Sequence, residues 1–374
     1  MKTNHIYLGS ARSMKELPDN SVHCVITSPP YYNLRDYHVE PESWGSGTKQ
    51  TWFGCLGMED DPFQYIRNLV EVGREIRRVL RNDGTFYLNI SDSYFKREKG
   101  WKHPMLKDGD LCMIPSRLAI ALQEDGWWLV SEIVWAKTSS MPENAPRRPS
   151  TAHEKIYLFA KSYKDYYFDN LGLGDTEKDS DRLMGPRNVW RLKIPLNPDA
   201  AHFAVFPPDL VERCLKLGTS AGGCCPECLA PFRRIIQKVG GARGDNRKRI
   251  LPNDVATAAM LETRRMKVGG KTISSIHRTV GFIKRIPMGW ERSCDCQGQG
   301  KAIPAIVLDP FMGSGTTALV ARENNREYVG YDLNPDYVQI VAGKRLEKFR
   351  GVRKISDYNE PLSGGLGGVA IDGD

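Results

Sequence analysis

The chain holds three clusters whose residue types and spacing suit chemistry. In the first, the apolar run Cys24-Val25-Ile26 leads through Thr27 into Ser28-Pro29-Pro30-Tyr31. Proline lacks an N–H, has a fixed φ and pushes the residue before it toward extended geometry. Residues 28–30 are therefore a stiff ledge whose carbonyls cannot all pair with neighbouring strands. Free acceptors at a strand's end suit a polar ligand, and Tyr31 offers a flat face against which a planar group stacks. Taken alone, these four residues also fit a loop that closes a strand. In the second cluster, Ala305-Ile306-Val307-Leu308 predicts a buried strand with Asp309 at its tip. Pro310-Phe311-Met312-Gly313-Ser314-Gly315-Thr316-Thr317 then reads as a glycine turn and a helix start, and with Ala318 it fits the G-x-G-x-x-A dinucleotide pattern. In the third, Cys225 and Cys228 make a C-x-x-C pair and Cys294 and Cys296 a C-x-C pair, enough for one tetrahedral zinc with four thiolate ligands, Cys224 being spare. With no coordination position left open, such a zinc is structural and ties together the base of the segment between the pairs.

That segment is basic. Residues 229–293 carry 15 Lys and Arg against 4 Asp and Glu, a net of +11 in a chain whose total is +8. A positive attachment on a near-neutral body reads as a phosphate-binding device, with a solvated loop that is basic by chance as the alternative. Nine cysteines in this setting argue for thiols or metal rather than disulfides. The 374 residues suffice for one α/β domain with insertions. No run of about 18 apolar residues occurs, and the opening MKTNHIYLGSAR has no apolar signal core, so a soluble, cytoplasmic protein with no membrane partner is expected.

Other elements must position these clusters. Periodicity predicts short strands at 6–8 and 21–27, the second delivering the ledge, and a helical turn at 14–17. The span 33–57, with Arg35, Tyr37, Trp44, Trp52 and Phe53, shows neither period and reads as a lid over a substrate or a packed loop. Asp61-Pro62 opens an amphipathic helix to Leu80, Asn82-Asp83-Gly84 is a turn, and 85–90 is a strand whose polar end brings Asn89 and Asp92 to the ligand edge. Asp92 or Ser93 fits a helix cap equally well. A helix at 114–124, a strand from 127 to 135 ending in Lys137, a loop rich in Pro and Arg at 142–149 and a strand at 155–160 follow. His153 reads as a buried, hydrogen-bonded histidine. Residues 171–199 are irregular, a helix runs to Leu217, and 316–324 is helical. A strand at 327–332 is tipped by Asp332, a last helix spans 336–349, and 351–374 is a glycine-rich mobile tail.

The ledge and the glycine loop together resemble the DNA amino-methyltransferases, which use S-adenosylmethionine (SAM) to methylate the exocyclic nitrogen of cytosine or adenine. In that family (D/S/N)-P-P-(Y/F) is catalytic and D-P-F-x-G-S-G-T-T holds SAM. The W-A-K…R-R-P…A-H-E-K-I run from Trp135 to Ile156 and the segment Ala201-His202-Phe203-Ala204-Val205-Phe206-Pro207 are similar to the family too. The likeness spans nearly the whole chain apart from the cysteine-bounded insert and the tail. It departs at Ser10, where the family often has an acid beside the SAM adenine. It implies an α/β fold, a Rossmann-like SAM-dependent methyltransferase sheet with helices on both faces, plus an inserted four-cysteine zinc-binding segment. The implied division is 1–222 for the catalytic half, with loop 33–57 and a recognition region at 170–200. Residues 223–297 are then a basic zinc-binding insert that recognises DNA, 298–350 the SAM-binding half and 351–374 the tail. Ledge first and SAM loop last is the family's β arrangement, whose members are frequently dimers, so a homodimer acting on double-stranded DNA is implied.

By that resemblance Ser28, Pro29, Pro30 and Tyr31 are catalytic. The Ser28 hydroxyl and the Pro29 carbonyl each accept one amino hydrogen, so the nitrogen lone pair turns toward the sulfonium methyl. Transfer is then direct, with the base flipped out against Tyr31. SAM contacts fall to Asp309, Pro310, Phe311, Gly313, Ser314, Gly315, Thr316, Asp332, Phe206 and Pro207. The acids favour SAM over NAD, because Asp309 would repel a pyrophosphate but attract the methionine ammonium, and Asp332 is placed for ribose hydroxyls. DNA contacts fall to Arg35, Arg147, Arg148, Arg247, Lys248 and Arg249. Serine in the first ledge position is commoner among the N4-cytosine enzymes, so cytosine is the expected target and N6 of adenine the alternative. A catalytically inactive zinc-finger DNA-binding protein is the alternative of another class.

Overall fold

The computed structural model describes residues 1–45, 51–96, 103–139, 143–144, 146–173, 186–193, 206–239, 265–268, 271–274, 284–297 and 300–347. In chain order these hold β1 (His5–Leu8), β2 (Val22–Thr27), β3 (Glu42–Trp44), β4 (Trp52–Gly54), α1 (Pro62–Val79), β5 (Leu80–Ile90), α2 (Ile114–Glu124), β6 (Trp128–Lys137), β7 (His153–Ala160) and β8 (Val189–Leu192). There follow α3 (Pro208–Gly218), β9 (Arg233–Val239), β10 (Arg265–Val268), β11 (Lys271–Ser274), β12 (Lys284–Glu291), β13 (Ile306–Asp309), α4 (Thr316–Glu323), β14 (Glu327–Asp332) and α5 (Ala342–Glu347).

Eight strands form one sheet in the order β1-β14-β13-β2-β5-β7-β6-β8, and β7 alone among them runs antiparallel to its neighbours. From β2 the chain passes through α1 to β5 on one side. From β13 it passes through α4 to β14 on the other. The order therefore reverses between β13 and β2, and an open α/β sheet binds its ligand in the crevice at such a point, beyond the carboxyl ends of the strands. The Thr27 hydroxyl, last in β2, donates to Asp309 Oδ1, last in β13, at 2.6 Å and closes the floor of that crevice.

Side chains alternate across the sheet because successive Cβ atoms point to opposite faces. Val25 and Phe86 join Tyr65, Val72 and Ile76 of α1 and Leu118 and Leu122 of α2 in one core. Cys24, Ile26 and Tyr87 join Leu210, Cys214 and Leu215 of α3 and Val320 and Ala321 of α4 in the other. Helices thus cover both faces, as expected. Each large apolar side chain so buried contributes about 1.5–3 kcal/mol, which makes the strand ends a stiff rim. α1 starts where the sequence predicts: the Asp61 carboxylate accepts from Phe63 N–H at 2.9 Å and Pro62 fills the first turn.

Several expectations are corrected. No turn interrupts 82–84, and β5 runs from Leu80. A Cβ on Gly84 would stand 2.9 Å from the His23 carbonyl oxygen, so this glycine permits close passage of two strands rather than a reversal. Loop 33–57 contains the hairpin β3–β4, in which Trp44 pairs with Trp52. The stretch read as irregular supplies β8, an edge strand parallel to β6. His153 is exposed, not buried. The final helix opens with a π-helical turn at Tyr337–Val341 before α5. Among the described residues no helix is long and apolar enough to cross a membrane. The tail at 351–374 lies outside the described residues.

Candidate active site and cysteine cluster

The ledge leaves β2 at the crevice and is held from behind. Tyr65 of α1 donates its hydroxyl to the Pro30 carbonyl at 2.7 Å, whereas the Pro29 carbonyl accepts no hydrogen bond among the described residues. Gly57, at φ +94, lies against the ledge so closely that a Cβ there would come within 3.1 Å of the Tyr31 carbonyl oxygen. The Ser28 hydroxyl donates to the Tyr31 hydroxyl at 3.0 Å, and that hydroxyl donates to Glu154 Oε2 at 2.7 Å. The Asn89 amide donates to both the Tyr31 oxygen and Glu154 Oε2, the latter at 2.6 Å. Lys137 Nζ meets Glu154 Oε1 at 2.6 Å. Burial first, then the Glu154 carboxylate, raises the Tyr31 pKa well above the usual tyrosine range, so its hydroxyl keeps its proton.

Asn89, named from its strand position, thus enters the site. Asp92 does not: its Oδ1 accepts from Ser93 and Ile114 N–H, and it serves the start of α2. Glu154 and Lys137 were not chosen from sequence. The sequence signal was faint: Glu154 is an acid near the head of a strand that is apolar only from Ile156 onward, and it proves buried, one residue and therefore one sheet face away from the exposed His153.

From the ledge a cavity of about 1180 Å³, its mouth included, extends over the glycine loop. Ser28, Pro30, Phe206, Pro310, Phe311, Gly313, Ser314, Thr316 and Asp332 line it, as do Gly9, Ser10 and Tyr337. Loop 33–57 forms its far wall through Tyr37, Val39, Glu40, Glu42, Trp44 and Leu56, pinned by the Ser10 hydroxyl donating to Glu42 at 2.9 Å. Gly313 and Gly315 take φ of +51 and +79, conformations that glycine adopts without strain. Gly315 faces Ala342 rather than the cavity, and Pro207 is buried at the start of α3.

Asp309 lies behind the cavity wall. It is 1% exposed and absent from the cavity wall. Its Oδ1 accepts from the Thr27 hydroxyl and Phe311 N–H, and its Oδ2 from the Thr317 hydroxyl at 2.7 Å. Burial raises its pKa to about 6. A carboxylate held in this way braces β2, β13 and α4 against one another. Asp332 does line the cavity, its oxygens accepting from Gly313 N–H at 2.7 Å and Asn334 N–H at 2.8 Å.

The cysteines gather as the spacing predicts. The Sγ atoms of Cys225, Cys228, Cys294 and Cys296 all lie within 4.8 Å of one another. Cys224 stands apart, its backbone paired with Ile303 and its thiol pushed up to about 12 by burial. This cluster sits at the amino ends of the strands. His23, near the start of β2, bonds the Leu229 carbonyl at 2.8 Å through Nε2 and accepts from Ile306 N–H at 3.0 Å through Nδ1. Arg81, near the start of β5, donates to the Cys228 carbonyl at 2.9 Å. The base of the basic insert is therefore on the rim opposite the ledge, about 20 Å away along the strands at roughly 3.3 Å per residue. Of the DNA-contact candidates, Arg147 is exposed. Arg148 pairs with Glu143 and stacks over Tyr94 at 3.9 Å, and Arg35 is half-buried beside Tyr37. Arg247, Lys248 and Arg249 lie outside the described residues.

Comparison with known proteins follows the same division. A family described as DNA methylase matches residues 22–225 and 304–343 and passes over the insert. The Type II methyltransferase M.XycI of Xanthomonas campestris pv. cyanopsidis is 31% identical over 349 residues, covering 88% of this chain and 83% of its own. M.SmaI of Serratia marcescens, also a Type II methyltransferase, is 30% identical over 369 residues, 93% of this chain and 92% of its own. Among solved structures, the cytosine-N4-specific PvuII DNA methyltransferase shares the fold with a TM-score of 0.53 at 17% identity, over 97% of this chain and 96% of its own.

Proposed function

The chain belongs to the DNA methylase family and is a DNA amino-methyltransferase, and from that premise we propose that it methylates N4 of a cytosine turned out of the duplex, using SAM. One observation carries the reading: Ser28 and the glycine loop line a single cavity, so an amine acceptor and a cofactor loop share one space. Bound there, SAM supplies a sulfonium methyl. The Ser28 hydroxyl hydrogen is committed to Tyr31, which leaves the lone pairs of its oxygen to accept one amino hydrogen, and the unused Pro29 carbonyl accepts the other. Held so, the nitrogen lone pair is drawn out of conjugation and aimed into the cavity, with acceptors fixed before reaction. Phe206, Phe311, Ser314, Thr316 and Asp332 are the residues we assign to SAM, with Asp332 toward the ribose. The ring of Tyr31 backs the flipped base. Serine at the first ledge position supports cytosine over adenine.

We infer a structural zinc on Cys225, Cys228, Cys294 and Cys296, supported by four convergent sulfurs and no other ligand type in the set. The insert at 223–297 is then a clamped module whose positive charge meets DNA phosphate, together with Arg147. A homodimer working on cytoplasmic DNA is proposed from the family resemblance, and sedimentation tests the dimer. The activity is tested by expression in a host without DNA methylation, followed by sequencing that reports both modified bases. N4-methylcytosine at one short motif is the expected result, N6-methyladenine would reassign the base, and an unmodified genome would overturn the reading.

A further inference from the structure

We propose that Glu154 is the terminal acceptor of the proton that the target amine sheds, reached through Ser28 and Tyr31; this rests on Ser28 being the amine's acceptor. As the N–C bond forms and the S–C bond breaks, positive charge passes from sulfur to nitrogen. The nitrogen then holds one hydrogen more than the neutral methylated base. That hydrogen already points at Ser28 Oγ. The Ser28 hydroxyl hydrogen points at Tyr31 at 3.0 Å, and the Tyr31 hydrogen points at Glu154 Oε2 at 2.7 Å. Three short shifts therefore move one proton out of the cavity: nitrogen to Ser28, Ser28 to Tyr31, Tyr31 to Glu154. Ser28 and Tyr31 each end with the hydrogen count they began with, the amine is neutral, and the carboxylate has become a carboxylic acid. It is reset by loss of that proton to solvent after product leaves.

The surroundings fit a proton sink better than a mere brace. Among the described residues, the polar groups bonded to Glu154 each have a part in this: the Tyr31 hydroxyl from the ledge, the Asn89 amide from β5, and the Lys137 ammonium from β6, 2.6 Å from the second carboxylate oxygen. Lys137 sets a positive charge against one carboxylate oxygen, and Asn89 fixes the Tyr31 and Glu154 oxygens against each other. A hydrogen-bond chain ending on a carboxylate also makes Ser28 Oγ a stronger acceptor, since each bond polarises the next.

The test is single-turnover methyl transfer to duplex DNA at saturating SAM, measured across pH for Glu154→Gln, Glu154→Asp, Tyr31→Phe and Ser28→Ala. Tyr31→Phe keeps the ring and removes only the relaying hydroxyl. We expect Glu154→Gln and Tyr31→Phe each to lose on the order of 100-fold in rate, the scale of one proton-transfer group, with affinity for SAM and duplex unchanged. The rise of the wild-type rate with pH on the acid side should vanish in both, and Glu154→Asp should restore part of it. A Glu154→Gln enzyme with the wild-type rate and the same acid-side rise, beside an inactive Ser28→Ala, overturns the relay and leaves the ledge assignment standing. A wild-type rate in Ser28→Ala overturns the ledge assignment and the relay with it. If Glu154→Gln does not fold, Tyr31→Phe decides by the same two criteria.

Discussion

The two rims of the central sheet are built on opposite terms. At the amino rim, where the cysteine cluster docks, polar groups are consumed: both nitrogens of His23 are bonded, Arg81 holds a carbonyl, and Cys224 exchanges backbone bonds with Ile303. At the carboxyl rim, structure stops short of satisfaction. Among the described residues the Pro29 carbonyl is left over, Ser28 lines the cavity, and an acid is drawn into the wall behind them. A clamp gains by closing every bond, whereas a site for a transient polar ligand must hold acceptors in reserve and fix them rigidly. The family match covers the strands that carry both rims, His23 and Arg81 included, and leaves out 226–303, where most of the insert lies.

The largest effect expected is at the ledge. Ser28→Ala, and more severely Tyr31→Ala, should lower methyl transfer by on the order of 10³-fold while SAM affinity, measured by calorimetry, stays within twofold. Activity at the wild-type level in both variants would erase the contrast between a working rim and a merely structural one. The next effect belongs to the other rim. Metal analysis should return about one zinc per chain. Cys228→Ser or prolonged chelation should open 224–297 to protease while SAM binding persists, because the cofactor cavity touches none of these cysteines. A metal-free protein with full protease resistance would reduce the cluster to coincidence.

The sequence was most legible where a residue's backbone chemistry dictates its place. Pro29 and Pro30 can only end a strand, Gly313 and Gly315 take positive φ as their motif requires, and Asp61-Pro62 caps α1. What it concealed were matters of facing and register. Asp309 and Asp332 both tip parallel strands, yet Thr27 and Thr317, 282 and 8 residues away, turn the first inward. Glu154 escaped notice because its meaning depends on Tyr31, 123 residues distant. Gly84 looked like a turn because nothing local announces that the His23 carbonyl passes beneath it.

That difference between two strand-tip acids gives a third, smaller prediction. Asp309→Ala strands two buried hydroxyls and an amide, so it should destabilise the fold by about 3 kcal/mol in urea titrations, with any loss of SAM affinity following from the unfolding. Asp332→Ala, in the cavity wall, should cost little stability but weaken SAM roughly tenfold, the worth of one hydrogen bond to a charged group. The reverse pattern would return the ammonium-binding role to Asp309.

The last contrast is a pair of opposed pH dependences, one per rim. Burial lowers the His23 pKa from 6.5 to about 4, so the unfolded chain takes up a proton that the folded one refuses, and stability falls as pH is lowered from about 6.5 to 4. Glu59 lies beneath the ledge, where it accepts from Gly57 N–H at 2.7 Å and from the Asn68 amide at 2.7 Å. Burial raises its pKa from 4.5 to about 7. Here the folded state holds the proton more tightly, so its contribution is full below about pH 4.5 and is lost as pH rises through 7. Each accounts for up to about 3 kcal/mol, the linkage equivalent of a shift of this size. Glu59→Gln should therefore flatten the loss of stability between pH 5 and 7.5 and leave the acid limb alone, while His23→Gln should do the converse beyond a constant cost for its lost bonds. If both variants change the same limb, the rims are coupled and the division drawn between them fails.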